Sequence, residues 1–458
     1  MLTQNAIQIL QARYLIRNKV GKPIETPEAL FRRVARAIAS VEEEPYLWED
    51  RFFSMMVEGD FLPNSPTLMN AGLSEGQLSA CFVLPVEDTM PGIFETLKHT
   101  ALIHQSGGGT GFNFSALRPC GDLTGSGAGT ASGPLAFMKV FDETTEQVKQ
   151  GGRRRGANMG VLNVTHPDIR SFIESKSEPS ELRNFNISVG VTDSFMEAVE
   201  SGAPWPLFNP RNGVKWAELP ARELWDLLCR QAWKTGDPGL LFLDTINAGN
   251  PLPSLGNLQA TNPCGELPLF SYESCNLGSI SLPRILDYHP DGTAFIDWAR
   301  FEEVIRVSLR FLDNVITANT YLLPEIRSIT LGNRKVGLGI MGWADCLIEL
   351  GIPYASQEAL SLARKLMGFV KEKSYKASHA LARERGPFPN WKKSTFYPDR
   401  IMRNASCNSI APTGSISVIA GTSYSIEPLY ALAFRRVGIL DGKEQQEISA
   451  PVQRVLSK

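Results

Sequence analysis

The chain has 458 residues, 43% of them hydrophobic, which is enough for a large buried core and, at about 150 residues per domain, for roughly three domains. Charged residues make up 21% and the formal net charge is -2, so the composition does not support a chain-wide basic field for nucleic acid. No apolar run approaches the roughly 18 residues of a membrane span, and the N-terminus lacks the basic-then-apolar layout of a signal peptide; no membrane partner and a cytoplasmic setting are expected.

Residues 1 to 60 read as helical, with Thr26 as an N-cap, Pro27 in the first turn and Glu28 as an early acid. From Phe61 the stretch FLPNSPTLMNAG reads as a loop, and CFVLPV after it as a buried strand. Helical periodicity returns over 90–105 and 134–150, flanking the glycine clusters SGGGTGF and GDLTGSGAGTASG, which read as tight turns or anion nests. The pieces NISVGVT (186–192) and SISVIAG (415–421) read as strands. Amphipathic helices are predicted over 301–318 and 356–385, the latter stopped by Gly386-Pro387. The fold class is α/β with a helical N-terminal segment.

The seven cysteines are dispersed and odd in number, unlike a secreted disulfide scaffold, and no CxxC pair or His cluster offers a zinc site, so no metal ligand is assigned. Each thiol is either a buried small side chain or a reactive group. Asn262, Cys264 and Glu266 form an N-x-C-x-E pattern; in an extended segment the three side chains point to one side, bringing an amide, a thiol and a carboxylate onto one ligand. Cysteine-hydrolase chemistry lacks a nearby base, because His166 in THPD reads as part of a turn. APTGSIS (411–417) offers hydroxyls and a glycine, either as a phosphate loop at a helix start or as an ordinary turn before a strand. KQGGRRRGAN is a cationic loop suited to phosphates or bases, or a solvated charge run.

Taken together, FLPNSPTLMNAG, SACFVLPV, GGTGFNFSALRP, KQGGRRRGANMG, RNFNISVGVTD, NPCGELP, ESCNLGS, VGLGIMGWAD and APTGSISVIAG resemble, in order and over nearly the whole chain, the catalytic subunit of ribonucleotide reductases. The likeness is greatest to the adenosylcobalamin-dependent class II enzymes. The resemblance implies a ten-stranded α/β barrel over 61–458 behind a helical segment over 1–60, reducing ribonucleotides to deoxyribonucleotides by thiyl-radical chemistry. It implies that Cys264 becomes the thiyl radical on a finger loop, Glu266 is the base, and Asn262 holds the ribose hydroxyls. Cys81 and Cys275 would be the redox pair, reset by an external dithiol such as a thioredoxin-like protein. It places Ser65, Ala80, Gly109, Thr413, Gly414, Ser415 and Ser417 at the substrate. Gln150 and Arg154 fall in a specificity loop, and the 119–131 loop wraps a deoxynucleotide or ATP effector at a homodimer interface.

Cys120, Cys229, Cys346 and Cys407 match no catalytic position and are expected to be buried structural thiols. Because the chain stops at Lys458, soon after APTGSIS, the last barrel strands are expected on a separate C-terminal polypeptide. No ATP-cone segment precedes residue 1, so an overall activity switch is not expected. The alternatives are a class I large subunit served by a separate metal radical subunit, a glycyl-radical enzyme, and a non-catalytic nucleotide-binding piece.

Overall fold

The computed structural model describes residues 2–74, 76–124, 129–150, 154–178, 180–439, 443–449 and 451–452. The chain divides into two units, one made of Met1–Ala80 with Cys275–Lys458, the other of Cys81–Ser274.

In the Cys81–Ser274 unit, five strands pair in parallel in chain order: Cys81–Leu84, Gly109–Asn113, Asn158–Asn163, Phe185–Val191 and Gly239–Phe242. The period-2 alternation of a strand gives this sheet two different faces. Phe112 and Phe185 lie on one face and pack with Phe114 and with Phe141 of the helix Gly133–Gln147 in edge-on and tilted ring contacts. Gly109, Gly111, Asn113, Asn186 and Ser188 lie on the other face, together with Val83, Met159 and Val161. A short hairpin, Ala260–Thr261 paired antiparallel with Pro268–Leu269, sits against it.

Two glycines allow that approach. A Cβ on Gly109 would come within 2.7 Å of Pro263 Cγ, and one on Gly111 would lie inside the Thr261 carbonyl. The cluster SGGGTGF is a turn at Ser106–Gly107, as its composition suggested, with Gly107 at φ +94°; from Gly109 it is a strand whose missing side chains make room for the hairpin. The helix expected over 134–150 spans Gly133–Gln147 instead, and Lys149–Gln150 pairs with Arg154–Arg155 as a small hairpin. Thr165 to Asp168 forms a turn, as expected, with His166 Nε2 at 2.9 Å from the Leu117 carbonyl.

In the other unit, helices Pro27–Ala39 and Pro45–Glu58 follow a short N-terminal helix, Gln4–Ile9, and Thr26 caps the 27–39 helix through the Ala29 N–H. The FLPNSPTLMNAG stretch is more regular than a loop: Phe61–Pro63 is a strand, and Ser65–Asn70 is a helix capped by the Asn64 side chain. Phe61–Pro63 pairs antiparallel, and Val336–Met341 parallel, with the wholly buried strand Ser274–Ser281. The long helices Trp298–Ala318 and Gln357–Arg385 pack on one another. The first starts three residues before its predicted position because Asp297 caps it.

Asp313, fully buried on the 298–318 helix, anchors a cluster of charges. It accepts from Arg334 Nε at 2.9 Å, Arg403 Nε at 3.1 Å and Asn404 Nδ2 at 3.0 Å. The buried Glu42 pairs with Arg310 and Arg385 nearby. Buried charge survives folding only when paired and hydrogen-bonded in this way.

SISVIAG is a helix, Gly414–Ala420, rather than a strand. Its β-branched residues Ile416, Val418 and Ile419 are buried, and Gly421 closes it in the left-handed conformation at φ +69°. Tertiary packing and a glycine stop outweigh strand propensity here.

Candidate functional site

The hairpin tip carries the N-x-C-x-E residues, and it is a tight turn rather than an extended segment. The Gly265 N–H donates to the Asn262 carbonyl at 3.1 Å, with Gly265 at φ +87°. The Asn262 N–H donates to the Leu267 carbonyl at 3.3 Å, and the Leu267 N–H donates to Asn262 Oδ1 at 3.0 Å. These bonds close the loop at its base and leave Cys264 exposed at its tip, between buried Pro263 and half-buried Glu266. Convergence of the three residues comes from the turn, not from strand alternation.

The tip is held from the strands beneath it. The Asn186 side chain donates to the Pro263 carbonyl at 2.8 Å, and Asn113 donates to the Gln259 carbonyl at 2.8 Å. Asn262 Nδ2 donates to the sulfur of Cys81 at 3.2 Å. Cys81 pairs in register with Gly109, so four sequence-predicted residues besides Glu266 — Asn262, Cys264, Cys81 and Gly109 — belong to one site within this unit. Burial pushes the Glu266 carboxyl above its ordinary range, against a smaller lowering by hydrogen bonding to its own backbone and to Asn262. A carboxylate so placed is a stronger proton acceptor than one in water.

A cleft of about 540 Å³ opens beside Cys264. Ser188, Thr235 and Asp237 give it polar groups, and Met159, Leu240 and Leu241 give it apolar wall. Its size falls in the range of small-molecule sites. Asp237 is held by Lys176 Nζ at 2.6 Å and accepts from the Ile187 N–H at 3.2 Å.

Ser65, Ala80, Cys275 and the predicted residues of 413–417 fall in the other unit. The Ala80 N–H donates to the Cys275 carbonyl at 3.3 Å, and the buried Cys275 thiol donates to the Asn276 and Lys335 carbonyls at 3.3 and 3.4 Å. Ser65 shares a 2.8 Å hydrogen bond with the hydroxyl of buried Tyr14. In APTGSIS a helix does begin at Gly414, with Thr413 left-handed at φ +57°. Gly414 is exposed and Ser415 half-buried, but the Ser417 hydroxyl is fully buried and bonded to Thr413 Oγ1 at 2.8 Å. Ser417 therefore braces the loop from within.

The side chains of Gln150 and Arg154 lie outside the described residues; their backbones face each other in the 149–155 hairpin, whose tip at 151–153 is also outside them. In the 119–131 loop, where 125–128 are not described, Asp122 is gripped by Arg211 at 2.9 and 3.0 Å, which holds its carboxyl well below the usual range.

Two of the four non-catalytic cysteines correct the expectation of burial. Cys120 and Cys229 are exposed, on a loop and on the outer face of the helix Ala221–Thr235. Cys346 and Cys407 are buried, and burial pushes both thiols up to about 12. Asn186, Asn113 and Tyr14 were missed by sequence reasoning. The only signal for Asn186 was its place on the inward side of the alternation in NISVGVT.

The family described as "Ribonucleotide reductase, barrel domain" matches residues 79–402 and 400–456, and "Ribonucleotide reductase, all-alpha domain" matches residues 1–76. The chain is 50% identical over 510 residues to the vitamin B12-dependent ribonucleoside-diphosphate reductase of Thermoplasma acidophilum, covering 98% of this chain and 66% of that protein. It is 50% identical over 441 residues to the protein of the same name from Mycobacterium tuberculosis, covering 95% and 62%. It is 29% identical over 502 residues to the ribonucleoside-diphosphate reductase subunit alpha of Chlamydia muridarum, covering 93% and 47%. The chain thus spans less than two thirds of the length of these relatives.

Proposed function

We propose, given that this chain belongs to the ribonucleotide reductase family, that it reduces ribonucleotides to 2'-deoxyribonucleotides, with adenosylcobalamin as the source of the radical. The observation that carries this reading is the turn at 262–266, which sets an exposed thiol beside a half-buried carboxylate of raised pKa and an amide bonded to a second thiol. The names of the 50%-identical relatives favour a cobalamin-dependent enzyme and a ribonucleoside diphosphate substrate.

The residues fit the cofactor in one respect that matters: Cys264 is exposed and lines a cleft large enough for an adenosyl-sized group. Ser188, Thr235 and Asp237 are the polar groups that would hold it. When bound, it supplies by homolysis the radical that takes the hydrogen atom of the Cys264 thiol. The Cys264 sulfur then takes the 3' hydrogen atom of the ribose. Glu266 accepts the 3'-hydroxyl proton and Asn262 holds the hydroxyls. The 2'-hydroxyl leaves as water. Cys81 and Cys275 become a disulfide, giving one proton to the departing 2'-hydroxyl and two electrons and the other proton to the 2' carbon; Cys264 returns the hydrogen atom to the 3' carbon, and Glu266 returns its proton to the 3' oxygen. The overall balance is one ribonucleotide and one dithiol converted to one deoxyribonucleotide, one water and one disulfide. An external dithiol of the thioredoxin-like kind resets the pair.

Within this reading, residues 1–60 form the helical segment before the barrel. Ser65, Ala80, Gly109 and the 413–417 loop hold substrate ribose and phosphate, and Gln150 and Arg154 couple it to an effector at the 119–131 loop. A homodimer is supported by the apolar side chains Met90, Phe94 and Leu102, at 58, 46 and 38% exposure on the helix Met90–Gln105. A separate polypeptide completing the barrel and a cytoplasmic setting belong to the same proposal. Among the described residues no helix is long and apolar enough to cross a membrane.

The test is deoxynucleotide formation from ribonucleoside diphosphates under anaerobic conditions with adenosylcobalamin, for the native chain and for Cys264→Ser, each with and without the C-terminal polypeptide. Turnover that needs the cofactor and vanishes in Cys264→Ser, with effector binding retained, is expected. Turnover in Cys264→Ser, or only with a metal-containing radical subunit, overturns the reading.

A further inference from the structure

We infer that Asn186 is a positioning residue for the Cys264 thiol: its side-chain amide, by holding the Pro263 carbonyl, sets the direction in which the turn presents the sulfur. The inference rests on the reading of Cys264 as the radical thiol, and its test is chosen to fail separately from it.

The Pro263 carbonyl belongs to the peptide that joins Pro263 to Cys264. Rotating that peptide swings the Cys264 side chain, because the plane is rigid and only the flanking dihedrals are soft. The bonds inside the turn close the loop through Asn262, Gly265 and Leu267, and the Pro263 carbonyl takes no part in them. Two contacts oppose tipping. The Pro263 ring lies over Gly109 on one side, where a Cβ would stand 2.7 Å from Cγ. On the other side Asn186 Nδ2 donates to the carbonyl at 2.8 Å. The first contact limits how close the ring can come; the second fixes an orientation, because hydrogen bonds are directional.

Asn186 has no competing structural duty. It is an exposed residue on the polar face of the strand Phe185–Val191, opposite Met159 in register. The strand's own ladder uses backbone groups, so changing the side chain leaves the sheet intact. Asn186 also lines the cleft into which Cys264 opens, so any group entering to meet the sulfur passes the same amide. Hydrogen-atom transfer tolerates little displacement, and a shift of about 1 Å can cost about a hundredfold in rate.

The experiment uses the full chain and two variants. Asn186→Ala removes the donor; Asn186→Asp keeps the shape and replaces the donor by an acceptor. Hydrogen exchange of the Gly265 amide reports the turn directly and needs no turnover. Both variants are expected to lose about tenfold in Gly265 protection, as for one hydrogen bond. The alkylation rate of Cys264 should change several-fold, while those of exposed Cys120 and Cys229, measured in the same digest, stay constant. In the turnover assay kcat should fall with KM for the nucleotide little changed. Unchanged Gly265 exchange and unchanged Cys264 alkylation in both variants overturn the assignment, even where Cys264→Ser abolishes turnover. Changed exchange with turnover surviving in Cys264→Ser would leave the turn contact standing and sink the radical reading instead.

Discussion

Asn262 donates through Nδ2 to the sulfur of Cys81 at 3.2 Å while its Oδ1 accepts from the Leu267 N–H at 3.0 Å. One side chain therefore ties the hairpin tip to the first strand of its sheet and closes the tip on itself. An amide carries two N–H donors and an acceptor with two lone pairs; Cys81 and Glu266 take the donors, and Oδ1 keeps one lone pair for a ligand hydroxyl. The two duties separate by substitution. Asn262→Asp retains the acceptor and loses the donor. It should keep Leu267 amide protection near the native level and lower turnover by about a hundredfold. Asn262→Ala should lose both. Equal Leu267 exchange in the two variants would contradict the assignment.

Glu266 makes a prediction about pH. Burial raises its pKa, and the proposed base acts only when ionised, so turnover should rise with pH through a limb above the ordinary carboxylate range. Glu266→Gln should abolish that limb and cost about 10²–10⁴-fold in rate. The stability effect has the opposite sense. A carboxyl whose folded pKa lies above its unfolded value adds stability below the unfolded pKa, and this is lost as pH rises through the folded one. Glu266→Gln should therefore be no less stable than the native chain at neutral pH. A native pH profile with the glutamine in place would contradict the role of base.

The charge cluster around Asp313 lies in the other unit and makes a prediction for stability alone. Asp313 is fully buried and accepts from Arg334, Arg403 and Asn404. Asp313→Ala takes the carboxylate from the buried guanidinium of Arg334 and the half-buried one of Arg403 and should cost about 3–5 kcal/mol. Denaturant titration checks this, and Cys264 alkylation in the folded variant should match the native rate. A loss below about 1 kcal/mol would put this pair among surface-like ion pairs.

Much of the fold was legible because its signals are local. Thr26-Pro27-Glu28, the 90–105 helix and Gly386 after the 357–385 helix carry their own caps and stops, and the structure places them where these signals lie. SISVIAG was misread because β-branched residues favour a strand only until packing decides otherwise, and the informative residue was Gly421 at its end. SGGGTGF was read correctly only at its Ser106–Gly107 turn; from Gly109 glycine marks a close approach, and what approaches, Pro263 and Thr261, is some 150 residues away in sequence. The N-x-C-x-E trio was found for an imperfect reason: the turn at Gly265 gathers it, not an extended strand. Asn186 had only its place in the alternation of NISVGVT to mark it, since its partner carbonyl carries no side-chain signature.

The central claim is that Cys264 cycles as a radical while Cys81 and Cys275 are consumed as reductant, and a single turnover tests it most directly. Ala80, next to Cys81 in the chain, already donates to the Cys275 carbonyl at 3.3 Å. With adenosylcobalamin and ribonucleoside diphosphate but no dithiol, the enzyme should form deoxynucleotide in a stoichiometric burst. Peptide mapping should then recover a Cys81–Cys275 disulfide, with Cys264 still alkylatable. Deoxynucleotide formed while Cys81 and Cys275 both remain free thiols would contradict the account.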